Sequence, residues 1–102
     1  MKQTSKSLNG TSFYNDVFNA SVSDLRKILG TPESETNDGE DKVNFEWAME
    51  TEEGEVFTVY DWKEYRVLDE DEIIEWHIGG HSSFATELAV NEIAGALNEL
   101  EA

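Results

Sequence analysis

Apolar positions along this chain change their period in a way that lays out the elements. Val22, Leu25, Ile28 and Leu29 fall on one face at helical spacing. Ser21 precedes them as an N-cap, and Asp24 sits in the first turn, where the helix dipole favours a carboxylate. Gly30 supplies the C-cap, and Pro32 blocks continuation. From Val43 the period becomes two: Val43, Phe45, Trp47 and Met49 alternate with Asn44, Glu46, Ala48 and Glu50. Glu52-Glu53-Gly54 reads as a hairpin turn. A second strand runs from Val56 to Trp62, with Val56, Thr58, Tyr60 and Trp62 on one face and Phe57 and Val59 on the other. Ile73 to Ile78 forms a third, Gly79-Gly80 breaks it, and Ser82 or Ser83 caps a last helix. The apolar stripe of that helix is Ala85, Leu88, Ala89, Ile93, Ala96, Leu97 and Leu100.

The expected fold is α+β: a three-stranded antiparallel sheet packed against an N-terminal and a C-terminal helix. A short fourth strand around Leu8 to Phe13 is the alternative at the N-terminal end. Residues 1–12 read as a flexible arm and residues 13–102 as a single domain, ordering from Phe13, Tyr14, Val17 and Phe18. At 102 residues, 38% of them apolar and 11% aromatic, the chain has enough for one core.

Charge changes this picture most. The net charge is -16, from 23 acidic and seven basic residues. Between Glu33 and Glu75 stand 17 carboxylates against Lys42, Lys63 and Arg66, so the acidity belongs to the central segment. The sign excludes a conventional binder of nucleic acid or of an anionic membrane, which needs a basic face. With no cysteine, disulfides and thiolate metal sites are excluded too. The polar N-terminus has no signal-peptide pattern, and no stretch reaches the roughly 18 apolar residues of a membrane span. A cytosolic protein is expected.

Candidate chemistry is sparse. No nucleophile stands beside a base in any catalytic signature, so a non-enzyme is expected. Gly79-Gly80-His81-Ser82, between a strand and a helix N-terminus, reads either as a tight turn or as an anion cradle of backbone N–H groups. His77 and His81 lie four apart across the glycine break, which gives no fixed metal geometry; no metal and no cofactor are expected. Trp47, Trp62 and Trp76 fall one per strand. With Tyr60 and Tyr65 they form either core or an aromatic platform. Lys42 and Lys63 are either salt-bridged or turned together into a concavity that takes an anion. Asp69-Glu70-Asp71-Glu72 is a solvated loop or a partner-binding patch and does not fit a calcium loop.

Several of these pieces come in a familiar order. Leu29-Gly30-Thr31-Pro32, Asp41-Lys42 with Trp47, Gly54-Glu55-Val56 to Tyr60-Asp61-Trp62-Lys63, and Trp76-His77-Ile78-Gly79-Gly80 resemble a family of small uncharacterised tailed-phage proteins, from about Ser21 to Leu97. Glu64 to Glu72 stands where those proteins carry a Gly- and Tyr-rich insert. The resemblance implies viral origin, an accessory role and the host cytoplasm as location.

Two functions of different class follow. The first is an acidic, nucleic-acid-mimicking decoy that inhibits a host protein with a basic surface, in counter-defence. Its contact residues would be Asp61, Glu64, Asp69, Glu70, Asp71 and Glu72. The second is a sequestering protein for an anionic nucleotide signal, built from Lys42, Tyr60, Trp62, Lys63, Trp76, His77, Gly79, Gly80, His81 and Ser82. A structural or virion accessory role is the third. Neither direct nucleic-acid binding nor membrane binding is expected, and the chain would act as a monomer or homodimer.

Overall fold

Ser21 starts the first helix as its side chain requires: the hydroxyl accepts the Asp24 N–H at 3.1 Å, and α1 runs Val22–Leu29. Gly30, at φ 86°, ends it. The computed structural model describes residues 1–101. Its remaining elements are β1 (Lys2–Gln3), β2 (Ser12–Ala20), β3 (Ser34–Glu35), β4 (Phe45–Glu50), β5 (Val56–Tyr60), β6 (Ile74–Gly80) and α2 (Ser83–Glu101).

The α+β class stands, but the three-stranded sheet does not. The sheet has six strands, all paired antiparallel. The central order is β4-β5-β6, and β2 pairs the outer side of β6. β1 and β3 both pair β4, one at Met49–Glu50 and the other at Phe45–Glu46. β2 escaped the pattern because its alternation is interrupted. Asn15, at φ 71°, sits in a register shift between Phe13 and Val17, so the apolar residues lose a single phase. β1 and β3 are two residues each, too short to carry a period. Residues 1–12, expected as an arm, therefore contain an edge strand, and Thr4 adds an N–H bond to the Ala48 carbonyl.

One face of the sheet carries the core. Phe45, Trp47 and Met49 of β4, Phe57 and Val59 of β5, and Ile74, Trp76 and Ile78 of β6 are buried under the helices with Leu25, Leu29, Ala89 and Ile93. Trp47 and Trp76 meet edge-on at 5.6 Å between centroids. Each indole N–H finds a backbone carbonyl, Gly30 for Trp47 and Ala20 for Trp76, both at 2.9 Å. Two large rings are thus buried with no unpaired donor.

Gly79 and Gly80 were expected as a turn after the third strand. They are instead the last residues of β6, paired with β5 and β2, and neither has a positive φ. Their lack of a side chain serves packing. A Cβ on Gly80 would lie 2.8 Å from Thr86 Cγ2, so α2 can cross the strand only at a glycine. A Cβ on Gly79, on the other face, would lie 2.6 Å from Thr58 Oγ1. The turn is His81-Ser82, and the Ser82 hydroxyl caps α2 by accepting the Ala85 N–H. No helix is long and apolar enough to cross a membrane among the described residues.

Candidate functional site

The face of the sheet turned away from the helices follows from the same alternation. β4 presents Glu46, Ala48 and Glu50, β5 presents Val56, Thr58 and Tyr60, and β6 presents Glu75, His77 and Gly79, with Tyr60 opposite both Glu46 and His77. β2 adds Phe13 opposite Gly79 and Val17 opposite His77.

Four rings gather there. Phe13 stacks on His77 at 4.3 Å and 16° between planes. Tyr60 leans on the same imidazole at 5.6 Å, and Trp62 lies 6.4 Å from it at 30°. Tyr60 and Trp62 meet edge-on at 6.1 Å. Phe13, Val17 and Trp62 remain 38–42% exposed, so this cluster forms an apolar patch on a charged protein.

Two cations converge on it. Lys42 Nζ lies 5.9 Å and Lys63 Nζ 5.6 Å from the Trp62 ring centroid. Neither lysine enters an ion pair among the described residues, although carboxylates dominate this segment. The loops that carry them are tied together, since the Lys63 N–H donates to the Lys42 carbonyl at 2.8 Å. Lys63 and Tyr65 both hold positive φ, 56° and 51°. A left-handed non-glycine residue costs about 1–2 kcal/mol, so the rest of the fold holds this loop against its own preference.

Beside the rings lies a cleft of about 270 Å³, lined by Leu8, Thr11, Ser12, Val43, Glu46, Thr58, Tyr60, Trp62 and Gly79. The N-terminal segment walls one side of it, and the bare backbone of Gly79 belongs to its lining. Burial pushes the Glu46 carboxyl above its ordinary value, and the neighbouring Glu33 pushes it the same way; among the described residues no hydrogen bond draws it back. Burial also raises the Tyr60 phenol, with a smaller push from Glu46.

Of the nucleotide-binding set, the structure joins Lys42, Tyr60, Trp62, Lys63 and His77 into one cluster and brings Gly79 to its edge. It removes Trp76 and Gly80, which face the helices. His81 and Ser82 lie in the turn, where the Tyr14 hydroxyl donates to the His81 carbonyl at 3.4 Å. Among the described residues no group of three metal-ligating side chains is assembled. The sequence reading missed Phe13, Val17, Glu46 and Thr58. Glu46 and Thr58 were visible as the outward phase of their strands; Phe13 and Val17 were hidden by the β2 register shift.

The acidic set disperses. Asp61 is fully buried, and its carboxylate accepts the N–H groups of Asn44 and Phe45 and the Asn44 side-chain amide, at 2.8–3.1 Å. It pins the start of β4 to the end of β5 and cannot contact a partner. Sequence position alone could not separate this carboxylate from its exposed neighbours. Glu70 pairs with Arg26 at 2.8 Å. Glu72 takes both Arg66 nitrogens at 2.6 and 2.7 Å, which holds its carboxyl below the ordinary range. Glu64 stands 3.9 Å from the same Arg66. The Asp69 carboxylate accepts the Asp71 N–H; these two remain exposed without a cationic partner among the described residues.

No family model matches this chain, and comparison with curated proteins and with solved structures finds no match.

Proposed function

We propose that this chain is a non-enzymatic binding protein for a small planar anion of the nucleotide class. The observation that carries the reading is the pair Lys42 and Lys63: two cations without an ion pair among the described residues, converging on one exposed tryptophan in a protein of net charge -16. Arg26 and Arg66 pair with carboxylates here; among the described residues Lys27, Lys42 and Lys63 do not, and of these three only Lys42 and Lys63 lie over an aromatic ring. Lysines left free beside an aromatic patch supply what a nucleotide needs: a ring on which a base can stack, and point charges for its phosphate. The strained Lys63 backbone supports the same reading.

A second reading, the acidic decoy for a basic host protein, draws support from the exposed Asp69 and Asp71 and from the net charge. It is the weaker one, because Asp61 points inward and Glu70 and Glu72 already hold arginines.

The test is a tryptophan-fluorescence titration with nucleoside monophosphates at low salt. Trp47 and Trp76 are buried, so quenching by a ligand reports on Trp62. Quenching that saturates below about 1 mM, and that disappears in Lys63→Glu, is the expected result. The absence of any saturable change at that concentration, or a change indifferent to Lys63→Glu, overturns the reading.

A further inference from the structure

We propose that the cleft beside Trp62 reads the guanine base, with Glu46 as the specificity-determining residue; the inference rests on the nucleotide-binding reading above. Glu46 is half-buried in the cleft lining, directly across the ladder from Tyr60, with Thr58 and Trp62 in the same lining. Its carboxylate is desolvated, is repelled by the carboxylate of Glu33, and takes no compensating hydrogen bond among the described residues. A carboxylate in that state is costly to the folded protein and lacks the donors it would accept.

A ligand can supply those donors. Guanine presents N1–H and the exocyclic amine side by side on one edge, and a carboxylate accepts both in parallel. Adenine presents a donor beside an unprotonated ring nitrogen, so the same carboxylate would face a lone pair. Uracil and thymine offer a single ring N–H between two carbonyl oxygens. The acidic lining therefore favours one base and works against the others.

Size and charge agree with this placement. At about 270 Å³ the cleft falls just under the roughly 300 Å³ lower end of pockets that enclose whole ligands. It suits a base, with ribose and phosphate left outside. Lys42 and Lys63, on the Trp62 ring at the cleft's margin, are placed for the phosphate. Opposite charges at the two ends of one site fix the orientation: donor edge toward Glu46, phosphate toward the lysines.

The experiment is calorimetric titration of the full chain with GMP, IMP and AMP under one set of conditions. GMP should bind about tenfold or more tighter than AMP, the scale of hydrogen bonds to a charged group, with IMP between because it keeps N1–H and lacks the amine. In Glu46→Gln the GMP-to-AMP ratio should fall toward one. The ratio in the unaltered chain stands as evidence even if the variant folds poorly. Equal affinity for GMP and AMP, still lost in Lys63→Glu, overturns the guanine inference and leaves the nucleotide reading standing. No binding of any of the three overturns both. A GMP preference that survives intact in a folded Glu46→Gln overturns the role of Glu46.

Discussion

The two faces of this sheet carry tryptophans in opposite circumstances. On the helix side, Trp47 and Trp76 are fully buried, crossed edge-on, and hydrogen-bonded to backbone carbonyls. On the open side, Trp62 is 42% exposed, with a histidine ring on one flank and two lysines near its centroid. The residue type is the same; its energetic role differs. The covered rings exclude water from a core that a chain this small cannot do without. The open ring, beside Phe13, Val17, Tyr60 and His77, leaves much of its apolar surface in water and so contributes less to the folded state than a covered ring does. Apolar area gathered on an otherwise charged surface is the mark of a contact with something else. The same contrast separates the two adjacent glycines: Gly80 admits a helix, and Gly79 opens a cleft.

The sharpest way to break this comparison is to truncate one ring on each face. Trp76→Ala should lower stability by about 3–5 kcal/mol, as for large aromatic truncations in a core, and a denaturant melt would show most of the fold lost. Trp62→Ala should change the same melt little, as surface substitutions do, within about 0.5 kcal/mol. It should nonetheless abolish the proposed nucleotide binding. Comparable losses of stability from both would end the distinction between the faces.

A smaller effect should come from the glycines. Gly80→Val forces a side chain into Thr86, and overpacking of this kind costs about 1–3 kcal/mol, read as a drop in melting temperature. This reverses what a glycine turn holding an anion would give, namely lost binding with an unchanged melt.

The smallest expected effect has a sign set by pH. Glu46 has its folded-state pKa raised above the ordinary 4.5, chiefly by burial. The fold therefore favours its protonated form. That contribution is fully present below about pH 4.5 and is lost as pH rises through the folded value. At pH 7 Glu46→Gln should thus melt above the unaltered chain, and the gap should narrow on acidification toward pH 4.5. Subtracting the two melts removes carboxyls that behave oppositely, such as Glu72, whose lowered pKa makes its contribution fade in acid. A gap that widens on acidification would remove the cost assigned to this carboxylate.

Much of the architecture was written in local patterns. Period two marked the cores of β4, β5 and β6, and Ser21, Gly30 and Ser82 marked helix ends, because these signals need only neighbouring residues. The short strands and β2 were not legible. A two-residue strand exists only because a partner edge is there, and the irregularity at Asn15 scrambles the phase of β2. Among candidate site residues, the sequence singled out Tyr60, Trp62, Lys42, Lys63 and His77 by type. It could not tell Trp62 from Trp76, or Asp61 from Asp69, since each pair shares its chemistry. Burial separates them: Trp76 lies on the inward phase of a central strand, and Asp61 turns in to hold the N–H groups of Asn44 and Phe45. The joining of Glu46 with Trp62, and of Phe13 with His77, depends on which strands lie side by side. That choice is made by the packing of the whole sheet against α1 and α2, because the observed pairing gathers the inward residues of β4, β5 and β6 into one core.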